Sequence, residues 1–219
     1  VSLTMEVKDE PNNSDLSSLP AALIEKRMYC WGQADNGELG LGTAYDQQSV
    51  IISPVAPDFP LSRAVKHVSC GRFHTLVITE SGQVYSCGNN EFGQLGHDKD
   101  NKSLNSVNGL SQYVITHVAT GLWHSLALND CGEVFTWGGD THGQLGLESA
   151  DKKSQSIPKR VKGLASVSVV QACAGYSHCL VLTSTGELYT WGNNEYGQMG
   201  INNSKKSQKH VEFSHNIVD

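Results

Sequence analysis

Charge is scarce in this sequence. Asp, Glu, Lys and Arg together make up 17% of its 219 residues, too few for long charged helices or a coiled coil. A basic surplus is missing as well. Sixteen Lys and Arg stand against 22 Asp and Glu, a formal net charge of -6. That balance disfavours nucleic acid as a partner, because phosphate neutralisation draws on excess Lys and Arg. Nowhere do 18 apolar residues run together, so no transmembrane helix and no integral membrane association are predicted. The cysteines are Cys30, Cys70, Cys87, Cys131, Cys173 and Cys179. They form no C-x-x-C pair and no zinc-finger spacing. Scattered in an acidic chain, they read as small buried thiols in a reducing compartment, the cytoplasm with the nucleus open as well. Val1 to Arg27 has no continuous apolar stretch of signal-peptide type; its longest apolar run is Ala21 to Ile24. The sequons at Asn12, Asn101 and Asn202 therefore read as chance matches. A start at Val rather than Met is expected of a piece of a longer chain.

What the sequence has in plenty is glycine, 22 residues, and the glycines recur in register. One motif is an aromatic residue, then x-Trp-Gly, then Gly-Glu/Gln-Leu-Gly. It reads Tyr29-Cys30-Trp31-Gly32 with Gly37-Glu38-Leu39-Gly40, and Tyr85-Ser86-Cys87-Gly88 with Gly93-Gln94-Leu95-Gly96. It returns as Phe135-Thr136-Trp137-Gly138 with Gly143-Gln144-Leu145-Gly146, and as Tyr189-Thr190-Trp191-Gly192 with Gly197-Gln198-Met199-Gly200. The leading positions Trp31, Cys87, Trp137 and Trp191 are nearly evenly spaced along the chain.

A second motif is Gly-x-x-His-x-Leu, at Gly71-Arg72-Phe73-His74-Thr75-Leu76, Gly121-Leu122-Trp123-His124-Ser125-Leu126 and Gly175-Tyr176-Ser177-His178-Cys179-Leu180. Another glycine follows at the same interval each time, at Gly82, Gly132 and Gly186. The Trp or Cys of the first motif also follows at one unchanging interval, at Cys87, Trp137 and Trp191. The link from there to the next motif glycine varies in length. Each repeat thus has a rigid half and a tolerant half. The rigid half reads as a β-hairpin, with Leu76-Val77-Ile78 running into a glycine turn and Val84 to Cys87 returning. A short β-like run precedes each motif glycine: Val65 to Val68, Val114 to Val118, Val167 to Val170. No convincing amphipathic helix follows Cys30. Strands in units of about 50 residues predict an all-β fold, a β-propeller with one sheet per repeat.

These motifs resemble the regulator of chromosome condensation repeat family over residues 29 to 200. Kelch repeats share the period, but only one Gly-Gly pair occurs here, Gly138-Gly139, and it follows a Trp. The Trp-Asp ends of WD-type repeats are absent. Met28-Tyr29-Cys30-Trp31-Gly32 is similar to the opening of the small HERC-type HECT ubiquitin ligases, and Gly93 to Lys99, Ser125 to Asp130 and Trp137 to Leu147 are similar to their following blades. The extension from Val1 to Arg27 departs from that pattern, and so does the absence of a HECT lobe. The resemblance implies a protein-protein interaction propeller with no catalytic residue, no cofactor and no catalysis in this stretch. Three readings of the partner stay open. It is a ubiquitination substrate of a HERC-type ligase, a small GTPase served by a guanine-nucleotide exchange factor, or the client of a free-standing scaffold. The founding exchange factor has a basic amino-terminal tail. Here the extension carries Lys8, Lys26 and Arg27 against Glu6, Asp9, Glu10, Asp15 and Glu25, which weakens the second reading.

His74, His124 and His178 could be taken for a zinc trio. Recurring once per repeat, each belongs to its own blade and is expected to serve structure by hydrogen-bonding backbone within it, with Gly71, Gly121 and Gly175. Trp31, Trp137 and Trp191 are expected to pack between blades, with Cys87 standing in for one of them. The Gly-Gln-Leu-Gly copies lack the Lys-Ser/Thr ending of a phosphate loop. Binding residues are expected in the variable links, where Lys152, Lys153, Lys159, Arg160 and Lys162 form a small basic cluster and Lys205, Lys206 and Lys209 another. The expected organisation is a flexible extension over residues 1–27 and a partial propeller over 28–219, of about three to four blades where seven complete the ring. Its repeat units fall near 29–86, 87–136, 137–190 and an incomplete 191–219. Trp31 has no Gly-x-x-His upstream, so its missing hairpin is expected beyond residue 219. An arc with two uncovered ends is expected to self-associate.

Overall fold

Short apolar runs punctuated by glycine turns satisfy their backbone groups by pairing with the next run along the chain, and that is the architecture adopted. The computed structural model describes residues 6–8, 27–43, 50–57, 65–147, 154–201 and 207–216. Four antiparallel sheets follow one another. The first contains β1 (Glu6–Lys8), β2 (Arg27–Gln33) and β3 (Val50–Val55). The second contains β4 (Val65–Cys70), β5 (His74–Thr79), β6 (Val84–Gly88) and β7 (Asn105–Ser106). The third contains β8 (Ile115–Thr120), β9 (His124–Asn129), β10 (Val134–Gly139) and β11 (Ser154–Arg160). The fourth contains β12 (Val169–Ala174), β13 (His178–Thr183), β14 (Glu187–Asn193) and β15 (Ser207–Asn216). Neighbours in sequence are neighbours in each sheet, the meander of a β-propeller blade. The helix named among the described residues is a single 3-10 turn, Lys162–Leu164.

The sheets pack face against face, so a central strand is covered on both sides. Every residue of β5 and of β9 is buried. Side chains alternate across each strand, which divides β5 between two cores: Val77 packs toward the first sheet, and Leu76 and Ile78 toward the third. Leu126 and Leu128 of β9 pack in turn toward the fourth. This explains why the strands read as near-continuous apolar runs instead of alternating ones.

The sheets are offset from the sequence units. Each Trp/Cys-Gly motif lies in mid-sheet, in β2, β6, β10 and β14, so one sheet draws on two consecutive units. The amino-terminal extension is not wholly separate from the fold. Glu6–Lys8 pairs with Tyr29, Met28 and Arg27, the place beside β2 that β5 holds beside β6. An open strand edge presents unpaired N–H and C=O groups to any extended segment in reach.

The glycine after each Trp or Cys is dictated by both conformation and space. Gly32, Gly88, Gly138 and Gly192 have φ between 102° and 118°, outside the range of ordinary L-residues. A methyl group on Gly138 would collide with the Trp123 carbonyl and stand 2.8 Å from the His124 Cα, both backbone atoms of the paired strand and its loop. Gly138→Ala is expected to cost upwards of about 1 kcal/mol and to lower the urea midpoint accordingly. An unchanged midpoint would contradict this reading of the bend.

Candidate interaction surface

The scaffold is built at the blade boundaries, by one arrangement used three times. The carbonyl of Gln94, in the turn that follows the second sheet's third strand, accepts two bonds from the third sheet. Trp137 donates its indole N–H at 2.8 Å and Ser125 its hydroxyl at 2.7 Å. The Gln144 carbonyl accepts from the Trp191 indole at 2.9 Å and the Cys179 thiol at 3.3 Å. The Glu38 carbonyl accepts from the Thr75 hydroxyl at 2.7 Å and the Cys87 thiol at 3.5 Å. Trp137 and Trp191 are fully buried there, and Trp31, at the start of the series, is half-buried. The residue after the motif histidine was not singled out from the sequence. Its signal is visible in hindsight: Thr75, Ser125 and Cys179 are small hydrogen-bonding residues recurring inside apolar strands.

His74 and His124 bond side chains across the same boundary and not, as expected, backbone within their own blades. The Ser125 hydroxyl gives its proton to the Gln94 bond, so His74 Nε2 must be the donor to Ser125 Oγ at 2.9 Å. By the same reasoning His124 Nε2–H donates to the Cys179 sulfur at 3.2 Å. The proton therefore sits on Nε2 of both rings, and Nδ1 of His74, His124 and His178 is buried without a partner. Each ring lies on the motif glycine. A Cβ on Gly121 would meet the His124 ring and, at 2.7 Å, the carbonyl oxygen of Gly175; one on Gly71 would stand 2.7 Å from the Gly121 carbonyl. So Gly71, Gly121, His74 and His124 form a continuous seam across the sheets. Burial pushes His74 down to about 4. Burial, with the neighbouring His74 and His178, pushes His124 to about 3, and burial also lowers His178.

The first strands face a cavity of about 600 Å³ lined by β4, β8 and β12, including His67, Cys70, His117 and Cys173. The His67 and His117 rings lie 4.5 Å apart between centroids, and the Ser69 and Thr120 hydroxyls are 2.9 Å apart. Burial, then the neighbouring His117, lowers His67. Among the described residues no group of three or more His, Cys, Asp or Glu side chains is disposed to hold a metal. Burial pushes the Cys30 thiol up to about 12 and the Cys70 thiol to about 11, and it raises Cys87 well above its usual value. These sulfurs stay protonated at neutral pH.

Of the basic cluster, Lys159, Arg160 and Lys162 come together at and just beyond the end of β11, all exposed. Arg160 is tied to Glu133 at 3.0 Å, which leaves the two lysines as the cations not engaged in a described ion pair. Lys152, Lys153, Lys205 and Lys206 lie outside the described residues, as does the side chain of Lys209. A second surface was not anticipated. Arg72 lies 4.9 Å above the Phe73 ring, Phe73 stacks on Trp123 at 5.0 Å, and Phe92 meets the same indole at 5.2 Å. Tyr176 and Tyr196 are exposed, and both follow the same loops. The sequence signal was the aromatic residue before each of the first two motif histidines. Tyr, Trp and Arg are the residues that dominate binding energy at protein interfaces.

The RCC1-like domain model matches residues 27–218. The chain is similar to the human protein named Probable E3 ubiquitin-protein ligase HERC4: 46% identical over 181 residues, covering 83% of this chain and 17% of that protein. It is 44% identical over 182 residues to the human Probable E3 ubiquitin-protein ligase HERC3, again covering 83% and 17%. The chain therefore spans about a sixth of the length of these relatives. The crystal structure of human WBSCR16 matches with a TM-score of 0.76 at 30% identity, over 86% of this chain and 48% of that one.

The buried histidines give stability a pH dependence. An unfolded histidine takes up a proton near pH 6.5, whereas folded His74 and His124 resist it down to about 4 and about 3. Their contribution is complete above about pH 6.5 and is lost as pH falls toward the folded values, by up to about 1.4 kcal/mol per pH unit for each. His124→Ala is expected to lower stability at pH 7.5 by about 1–3 kcal/mol and to flatten this acid slope. Urea denaturation across pH 4 to 8 reads both effects. A slope unchanged by the substitution would contradict the assignment.

Proposed function

This chain belongs to the RCC1-like domain family, and on that premise we propose that it is the partner-binding propeller of a HERC-type E3 ubiquitin ligase. It holds a protein that is to be ubiquitinated, while a catalytic lobe of the ligase carries the ubiquitin. The observation that carries this reading is the extent of identity with the two HERC ligases over most of the chain. A rigid seam with variable links suits the task, since recognition residues can change on the links without disturbing the boundaries. The exposed lysines at the end of β11, with Lys152 and Lys153 of the adjoining link, supply charge for an acidic partner. The Phe73–Trp123–Phe92 rim supplies apolar area. The six cysteines are free, in keeping with a reducing compartment such as the cytoplasm. No helix among the described residues is long and apolar enough to cross a membrane.

Joined to an active HECT lobe, this chain is expected to direct ubiquitin to the proteins it can be crosslinked to, and the lobe alone is not. Reversing the charge at Lys159 and Lys162 should reduce crosslinking and ubiquitination together by several-fold. Equal modification of those proteins with and without the chain would contradict the proposal. The chain by itself, given charged conjugating enzyme, is expected to form no reducible ubiquitin adduct: a thiolate is the nucleophile, burial holds the protons of Cys30, Cys70, Cys87 and Cys179, and the exposed Cys131 and Cys173 are the positions at which an adduct would show. A thioester on any of its cysteines would contradict that.

A further inference from the structure

The third sheet closes the outer edge of its hairpin with an ion pair. Arg160 of β11 stands opposite Phe135 of β10 in register, Glu133 precedes Phe135 by two residues, and guanidinium and carboxylate meet at 3.0 Å. The second sheet has the same backbone there. Ser106 of β7 stands opposite Tyr85 of β6, and the Val107 N–H bonds the Val84 carbonyl as the Val161 N–H bonds that of Val134. Both links then read Val-x-Gly-Leu, with Leu110 and Leu164 buried. The side chains at the edge differ. Ser106 takes the place of Arg160 and Gln83 that of Glu133, so the second sheet has no counterpart of that ion pair.

A cavity of about 290 Å³ opens at this place in the second sheet. Among the described residues, the buried Val84, Val107 and Leu110 give it an apolar floor, and Gln83, Tyr85 and Ser106 line its more exposed side. An apolar pocket with a few fixed polar groups is the form of a ligand site. A cation stands at its edge: the exposed Lys99 donates from Nζ to the Ser106 hydroxyl oxygen at 3.3 Å. The link below the cavity also touches the next sheet. The Cβ position of Gly109 lies 3.5 Å from Ile157 of β11, which is 48% exposed, and Lys159 follows two residues further along that strand.

We propose that this cavity anchors an acidic partner protein. An extended segment of the partner seats one large apolar side chain on Val84, Val107 and Leu110 and sets a neighbouring carboxylate against Lys99. It then passes over Gly109 and Ile157 toward Lys159. The cavity supplies the apolar selectivity, and the two lysines select the sign of charge around it. The inference rests on the partner-binding reading above and names the chemistry of the partner.

The test uses short fluorescent peptides of Asp and Glu that are identical except for a central Leu, Phe or Ala, with a Lys-rich version of the Leu peptide as the charge control. Fluorescence anisotropy reads their binding to the 219-residue chain. The Leu or the Phe peptide should bind about tenfold more tightly than the Ala peptide, and the Lys-rich peptide more weakly than any of them. Gln83→Glu combined with Ser106→Arg installs the ion pair of the third sheet, at two exposed positions, and should abolish the preference over Ala. Lys99→Glu, also at an exposed position, should weaken the Leu and Phe peptides several-fold. Thermal melting checks that both variants stay folded. No saturable binding up to about 1 mM, equal affinity for the Leu, Phe and Ala peptides, tighter binding of the Lys-rich peptide, or a preference that survives the installed ion pair would each overturn the proposal. The measurement needs no catalytic lobe, so these outcomes are separate from the ubiquitin-directing experiment that tests the ligase reading.

Discussion

One backbone carbonyl at each blade boundary, taking two donors from the next sheet, is the constraint on which the rest of this structure depends. Apolar packing between sheets is non-directional and fixes neither the angle nor the register at which two sheets meet. The Gln94 and Gln144 carbonyls do fix them, because an indole and a hydroxyl or thiol must arrive at the same oxygen. A buried carbonyl left unpaired would cost about 1–3 kcal/mol, so the boundary tolerates little displacement. The histidine then ties the serine or cysteine back to the preceding sheet, and the motif glycine leaves room for the ring.

That division separates what is constrained from what is free. The hairpin half of each repeat carries the histidine and the donors of each boundary, and the accepting carbonyl follows in the first turn of the link, so the intervals from motif glycine to turn glycine and to Trp or Cys do not vary. The links carry few of them. The fourth strand has two residues in the second sheet and ten in the fourth, and the third-to-fourth link contains a 3-10 turn. Sequence can change there while the sheets stay in place. The basic residues at the end of β11 and the aromatic rim are both arrayed on a frame that does not depend on them.

The sheet order and the buried strands were legible in the sequence because the boundary uses side chains at fixed intervals. Where the chemistry of a group changes while its role does not, legibility fails. Cys179 takes the role of Ser125 and does not look like it, whereas Cys87 takes that of a tryptophan and is legible only through its interval from Gly71. The first strands were also placed imperfectly. Val167–Val170 was the expected strand, but Val167 N–H closes the turn onto Leu164 and β12 runs from Val169 through Ala172, Cys173 and Ala174. Small residues with little intrinsic strand preference are used there because the first strands crowd around a common cavity. The strand at Glu6–Lys8 has no pattern of its own; the open edge of β2 defines it. The aromatic rim was hidden by its shift, since Phe73 and Trp123 precede the histidine directly whereas Tyr176 stands one place earlier.

The shared carbonyl is tested most directly by a double-mutant cycle on Ser125→Ala and Trp137→Phe, read by urea denaturation. Either substitution alone leaves the Gln94 carbonyl one donor, whereas the pair leaves it buried with none. The double variant should therefore be less stable than the sum of the single losses predicts, by about 0.5–3 kcal/mol. Strict additivity would mean that the two donors act independently, and that the boundary is held by packing alone.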